Sequence, residues 1–475
     1  MNGYTVEMPD GGGFFTASKP YKSSLGALME AFPDAEVLLF ASSTLGDPSV
    51  GSYSRLVSGV EGYVWSFLRS GEYCSDPGRV TVVVFPGIGR FERGVVKSFI
   101  GWLGQFRVAT FLKTLDFILE CKPSRVVLDL THGINYMPTY TRLSVFDAIT
   151  CYSAINRVEV RLLAYNSEPF PEGAGEASGL NIMLVEDHRF EPKWALSRLY
   201  DLLASSFTTW LKPAPVRSVF RCKPPQYSED GWRRLYKCVE KLVRAASWGL
   251  IIPLAEAVEE LPSIALASLK CELERFSYLR DCDDLVEIRG SSLTYLFSPV
   301  YEAALLLALG KVINSIGFRV QRVDGGFSEA DLKGLADALL QKTPLELFKH
   351  EWSQLRDRVK LFKELGLDVG GWRRLKAYTE VGNVRFRGRS LLEFMREVEK
   401  EGGRDFGALT NELRCGVEKA LAEGERVENP ESRNFIAHAG LERNVTLVSA
   451  RGESIYVKYD EKLRDRVDKI IKELT

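Results

Sequence analysis

Only four histidines occur in 475 residues, at positions 132, 188, 350 and 438, so imidazole chemistry has few places to sit. Net charge is missing too. The 62 Lys and Arg stand against 63 Asp and Glu, a balance of −1 that excludes a global positive field, so a site for a polyanion must be local. The eight cysteines (74, 121, 151, 222, 238, 271, 282 and 415) include no C-x-x-C pair and no histidine at zinc-ligand spacing, which predicts reduced thiols in cytoplasm. Glutamine occurs only five times, which agrees with a hot habitat.

Several motifs are absent. The opening MNGYTVEMPDGGGFF has no positive patch before an apolar core, so no secretory signal is expected. The greasiest run, Tyr301 to Ile313, is interrupted by Gly310 and Lys311, short of the roughly 20 apolar residues a membrane span needs. It reads as a buried helix. No G-x-G-x-x-G is completed with an acidic residue at the right distance, and there is no G-x-x-x-x-G-K-[ST], so NAD and ATP lack support by those routes. The acidic clusters 256–260 and 280–287 read as solvated helix faces, and neither a metal nor another cofactor is expected.

What is present is an ordinary globular balance, 45% apolar and 26% charged, with material for two or three cores. Up to about residue 186, short β-branched runs (4–8, 36–40, 79–85, 125–130, 158–164 and 181–185) alternate with helical stretches (22–31, 53–69, 108–120 and 141–149). That alternation predicts a doubly wound α/β domain with a parallel-rich sheet. From about 187 the texture changes to long amphipathic helices, with a proline-rich break at 211–226, a hairpin closed around Arg451 and Gly452, and a last helix from Glu461. The expected domains are therefore 1–186 and 187–475, with the helices of about 187–340 serving as linker or subdomain.

Two segments look built for contact. In VVLDLTHGINYMPTY (Val126 to Tyr140) an apolar run stops on Asp129, Thr131, His132 and Gly133, with Asn135 beyond, where α/β sheets hold ligands. The loops Pro9–Phe15 and Pro86–Phe91 also follow strands, and their glycines allow close backbone approach. A role for Thr131 as a helix cap is compatible with ligand contact. No Ser or Cys nucleophile stands at motif spacing near His132, which argues against catalysis there.

The second segment is ENPESRNFIAHAGLERN, Glu428 to Asn444. Asn429 and Pro430 predict a helix start. Five positions on a helix place Arg433 and His438 about 140° apart and roughly 7.5 Å along the axis, so they do not share a face. A shared site needs the long arginine to wrap, the helix to fray at Arg433, or a second subunit to complete the cleft; the last is favoured, with the small residues Ala437, Ala439 and Gly440 allowing close approach. Arg with His suffices to break RNA without a metal, because the ribose 2′-OH is the nucleophile. The competing reading pairs Arg433 with Glu431 or Glu442 while His438 caps or packs. His188 and His350 carry no pattern.

Together, LDLTHGINYMP (Leu128 to Pro138) and RNFIAHAGL (Arg433 to Leu441), in this order and separation, resemble the CRISPR-associated CARF-HEPN ribonucleases of type III systems, in the branch whose sensor carries Asp-Leu-Thr-His-Gly. The resemblance implies a Rossmann-like CARF domain whose dimer binds a cyclic oligoadenylate, and an all-α HEPN nuclease domain with a small β-hairpin near its end. Thr131, His132, Gly133 and Asn135 would line the ligand site; Arg433 and His438, with Asn434 beside them, would form the nuclease pair. By position, Gly11, Gly12 and Gly13 would join the ligand site. The implied partners are single-stranded RNA, a cyclic tetra-adenylate in preference to a hexa-adenylate, and a second copy of the chain, with higher oligomers open. Two alternatives stay open: a sensing or nucleic-acid-binding regulator without nuclease activity, and a sensor that also cleaves its own ligand.

Overall fold

The computed structural model describes residues 3–21, 23–70, 77–93, 95–131, 136–168, 179–209, 229–261, 286–296, 301–315, 322–386, 388–400 and 411–474. Backbone contacts divide the chain into two units, Met1–Glu229 with Ala265–Ser315, and Asp230–Ile264 with Ile316–Thr475. The first unit thus runs past residue 186 and takes in a later excursion of the chain. The proline-rich piece at 211–226 and Cys74, Cys222, Cys271 and Cys282 lie outside the described residues.

In chain order the first unit holds β1 (Tyr4–Glu7), β2 (Phe14–Thr16), α1 (Ser24–Ala31), β3 (Val37–Ser42), α2 (Tyr53–Ser70), β4 (Val80–Phe85), β5 (Gly89–Arg93) and β6 (Val95–Ile100). There follow α3 (Leu103–Cys121), β7 (Arg125–Asp129), α4 (Tyr136–Asn156), β8 (Val160–Ser167), β9 (Leu180–Phe190) and α5 (Pro192–Thr209). After α6 (Glu229–Trp248) and α7 (Ile251–Glu260) of the second unit, the chain returns for β10 (Val286–Arg289), β11 (Ser292–Tyr295) and α8 (Tyr301–Ser315).

Among the described residues the strands of the first unit form three groups. A mixed sheet has the order β2-β1-β9-β8-β7, with β7 parallel to β8, β8 antiparallel to β9, and β1 parallel to β9. β3 and β4 make a separate parallel pair, and the third sheet runs β10-β11-β6-β5. Helix α2 buries Leu56, Val57, Val60, Val64 and Leu68, the three-to-four spacing of one face. Phe85, Phe106, Ala109 and Met137 form a core that joins β4, α3 and the start of α4. The apolar run from Tyr301 is indeed a buried helix: Ala304, Leu305, Ala308 and Leu309 are fully buried.

The second unit continues with β12 (Arg322–Val323), β13 (Gly326–Ser328), α9 (Glu329–Leu339), α10 (Lys342–Glu364), β14 (Arg373–Arg374), α11 (Leu375–Asn383), β15 (Arg385–Phe386) and β16 (Arg389–Ser390). It closes with α12 (Leu391–Lys400), α13 (Asn411–Gly424), α14 (Ser432–Ala437), β17 (Thr446–Arg451), β18 (Ser454–Tyr459) and α15 (Arg464–Glu473). It is mostly helical, and the expected hairpin β17–β18 is present. That hairpin sits inside a larger sheet of order β12-β13-β18-β17-β14, whose two- and three-residue members are too short to leave an alternation in the sequence.

Glu256 of the 256–260 cluster is not on a solvated face: it is 6% exposed and lies 2.8 Å from Lys241 Nζ and 2.5 Å from Arg464 Nη1. Burial of a carboxylate on a helix is tolerated here because two cations from α6 and α15 close on it. Among the described residues no helix is long and apolar enough to cross a membrane.

Candidate functional site

In the first unit the carboxyl ends of β3 and β4 are stitched together. The Gly87 N–H donates to Ser43 Oγ at 2.9 Å, and the Ile88 N–H donates to Tyr136 Oη at 2.8 Å, which ties the loop after β4 to α4. Ser43 Oγ lies 2.5 Å from Tyr295 Oη, and the Ser42 and Thr44 hydroxyls are 2.7 Å apart. Gly87 is required by this approach, since a Cβ there would lie 2.2 Å from Ser42 Oγ and 2.5 Å from Thr44 Cγ2. The Ser42-Ser43-Thr44 run was not singled out in the sequence. Its signal was a polar cluster ending an apolar strand.

At the end of β7, Asp129 Oδ1 accepts the Thr131 N–H at 2.9 Å while Oδ2 accepts from Ser24 Oγ on α1 at 2.6 Å. Thr131 Oγ1 accepts the Ser167 N–H at 3.2 Å, so this threonine pins the end of β8 to the end of β7. Beside it a cavity of about 700 Å³ is lined by Leu25, Leu39, Val127 and Leu128, with Ser42, Thr44 and Asp129 among its polar members. His132, Gly133 and Asn135 lie outside the described residues.

The structure does not bring Gly11, Gly12 and Gly13 to this place. They are exposed in the β1–β2 turn, where the neighbouring Asp10 pairs with Arg161 at 2.7 Å. Arg161 stands opposite Arg125 at the start of β7, whereas Asp129 ends it. Four residues of strand, roughly 13 Å, separate the two edges. The reason is topological: β1 runs parallel to β9 and hence against β7 and β8, so its following loop opens at their amino ends.

In the second unit, α14 begins at Ser432, not at Asn429; its N-cap Glu431 makes no capping bond to the backbone and instead accepts from Asn434 Nδ2 at 2.9 Å. His438 ends the helix, its N–H donating to the Asn434 carbonyl at 3.1 Å. The chain then reverses through Ala439 (φ +51°) and Gly440 (φ +78°). A Cβ on Gly440 would meet Tyr459 Oη at 3.1 Å and Leu250 Cα at 3.2 Å. Tyr459 Oη donates to the Gly440 carbonyl at 2.8 Å, and the Ile251 N–H donates to that of Ala439 at 3.1 Å. The small residues at 439 and 440 are thus spent on packing inside the unit.

This turn holds the imidazole against α10. His438 Nδ1 lies 3.1 Å from Glu351 Oε2; the histidine side chain is 46% exposed and the glutamate 15%. The Glu351 contact raises the His438 pKa above its ordinary value, against the opposing effect of burial. Arg358, two turns along the same face of α10, is lowered by burial. Glu442, fully buried beyond the turn, is raised for the same reason while accepting the Asn444 N–H at 2.8 Å. Arg433 is exposed and has no hydrogen bond or ion pair among the described residues, so its pairing with Glu431 or Glu442 is not what the fold uses.

Two domain profiles match this chain. Residues 4–169 match the CARF domain, and residues 346–461 the HEPN domain, of the CRISPR system endoribonuclease Csx1. The chain is thus similar to both domains of that endoribonuclease, in the same order. The CRISPR system endoribonuclease Csx1 of Methanocaldococcus jannaschii is 30% identical over 187 residues, which is 38% of this chain and 38% of that protein. The Thr131 cluster therefore lies in the CARF domain, and Arg433, Asn434, His438 and Glu351 lie in the HEPN domain. Among the described residues no group of three His, Cys, Asp or Glu is placed to hold a metal ion.

Proposed function

We propose that the protein is a cyclic-oligoadenylate-activated endoribonuclease of CRISPR antiviral defence that cleaves single-stranded RNA without a metal. The observation that carries this reading is the presentation of Arg433 and His438: the arginine is exposed and free of partners among the described residues, and the histidine is half-exposed on a turn braced by three other elements.

The chemistry is an internal transfer. The ribose 2′-oxygen bonds to the adjacent phosphorus, the phosphorus–O5′ bond breaks, the 2′-OH proton leaves to a base and O5′ receives one, leaving a 2′,3′-cyclic phosphate and a 5′-hydroxyl. His438 moves a proton, and the Arg433 guanidinium stabilises charge on the phosphoryl oxygens. Because Arg433 lies near the start of α14 and His438 past its end, the working cleft combines residues of two subunits, with Asn434 beside Arg433 as part of the set. The activator site is the loop cluster after β3, β4 and β7, with Thr131, His132, Gly133 and Asn135; Gly11 to Gly13 lie at the other edge of the sheet. Backbone N–H groups, hydroxyls and apolar surface suit a ring of phosphates and flat bases in a chain with no net positive field.

The test is cleavage of a fluorescent single-stranded RNA in EDTA, with and without cyclic tetra- or hexa-adenylate, beside His438→Ala. Cutting should require one ring, tetra-adenylate first, and vanish in the variant while ring binding survives. Normal cutting by His438→Ala would sink the proposal. Ring binding without cutting by the parent would leave a ligand-sensing regulator.

A further inference from the structure

We propose that Glu351 is a positioning residue for His438: its carboxylate holds the ring by Nδ1 and leaves Nε2 as the nitrogen presented to RNA. This rests on the reading of His438 as a nuclease residue, and it adds a side chain that lies 87 positions away from it in the chain.

The geometry is that of a fixed acceptor. Glu351 sits mid-way along the 23-residue α10, which is anchored by the buried Leu345, Phe348, Trp352, Leu355, Val359 and Phe362. Its side chain is 15% exposed, and its Oε2 lies 3.1 Å from Nδ1. The histidine is fixed from the other side by the turn through Ala439 and Gly440. A carboxylate acceptor selects the tautomer with hydrogen on Nδ1, so neutral His438 carries its lone pair on Nε2, and the protonated ring carries a donor there. Either form exposes one defined nitrogen to the substrate.

The surrounding charges make the carboxylate matter. Arg358 on the same helix opposes protonation of His438, while Glu351 and the buried Glu442 favour it, Glu351 by direct contact. Removing the Glu351 charge leaves the imidazole facing Arg358 with only the more distant Glu442 to offset it.

The experiment compares the full chain with Glu351→Gln, Glu351→Ala and His438→Ala. The four histidines are followed by carbon-13 NMR at Cε1, with His438→Ala assigning its signal, and activator-dependent RNA cleavage is measured across pH. In Glu351→Gln, which keeps the shape and an acceptor oxygen, the His438 midpoint should fall, because the contact that raises it is lost. Its kcat should fall about 10- to 100-fold with KM unchanged, and the limb of the rate profile that His438 sets should move to lower pH by the same shift. Glu351→Ala should fall further. An unchanged midpoint, or full activity of Glu351→Gln beside a dead His438→Ala, overturns the positioning role. If His438→Ala itself cuts like the parent, the nuclease reading falls and takes this role with it.

Discussion

At the residue scale, the His438–Glu351 contact makes stability depend on pH in a definite direction. The folded pKa of His438 is raised above its ordinary 6.5, so the contact contributes fully below that value and its contribution is lost as pH rises through the folded one. Between about pH 5.5 and 9, the stability advantage of the parent over Glu351→Gln should shrink as pH rises, read from urea midpoints. An advantage that grows with pH would contradict the contact. Both Arg433 and His438 were legible in the sequence because they share one short segment. Glu351 was not, since on a helix rich in Glu, Lys and Arg nothing local separates a carboxylate that faces an imidazole from one that faces water. Gly11 to Gly13 misled for a related reason: glycines after a strand mark a turn, but the edge on which it opens is decided by the direction of that strand in the sheet.

At the scale of elements, close approach of helices supplies a sharper test than propensity. Gly424 ends α13 against α11, where a Cβ would lie 2.2 Å from Ala377 Cα and 2.6 Å from its nitrogen. Neither backbone atom can rotate away, so Gly424→Ala must push the helices apart and should cost about 1–3 kcal/mol in urea or thermal unfolding. A variant as stable as the parent would mean that the α11–α13 contact is looser than described. The elements that sequence reasoning found are those with strong internal pattern: six strands of the first unit and the amphipathic helices. Those it missed carry too little pattern of their own. β11 pairs with β6 through Ser292 and Ser98, and β5 is the charged run Gly-Arg-Phe-Glu-Arg, which carries no apolar alternation of its own.

For the whole molecule the decisive matter is whether the proposed nuclease pair works within one chain or between two. α14 is only six residues long, with Arg433 near its start and His438 just past its end. His438 has left the helical conformation (φ −112°), and the turn through Ala439 and Gly440 that follows it is packed against Leu250 and Tyr459. A cleft formed across a two-fold axis would instead set the arginine of one chain against the histidine of the other. Activation then follows only if the ring binds one arrangement of the two chains better than another, since a ligand without that preference shifts nothing. Co-expressing Arg433→Ala and His438→Ala chains separates the cases. The mixed dimer keeps one intact pair between chains and none within either, so activator-dependent cleavage should recover by roughly tenfold or more over each variant alone. Mixed dimers as inactive as the single variants would place both groups of each working pair in the same chain, and the composite cleft would have to be abandoned.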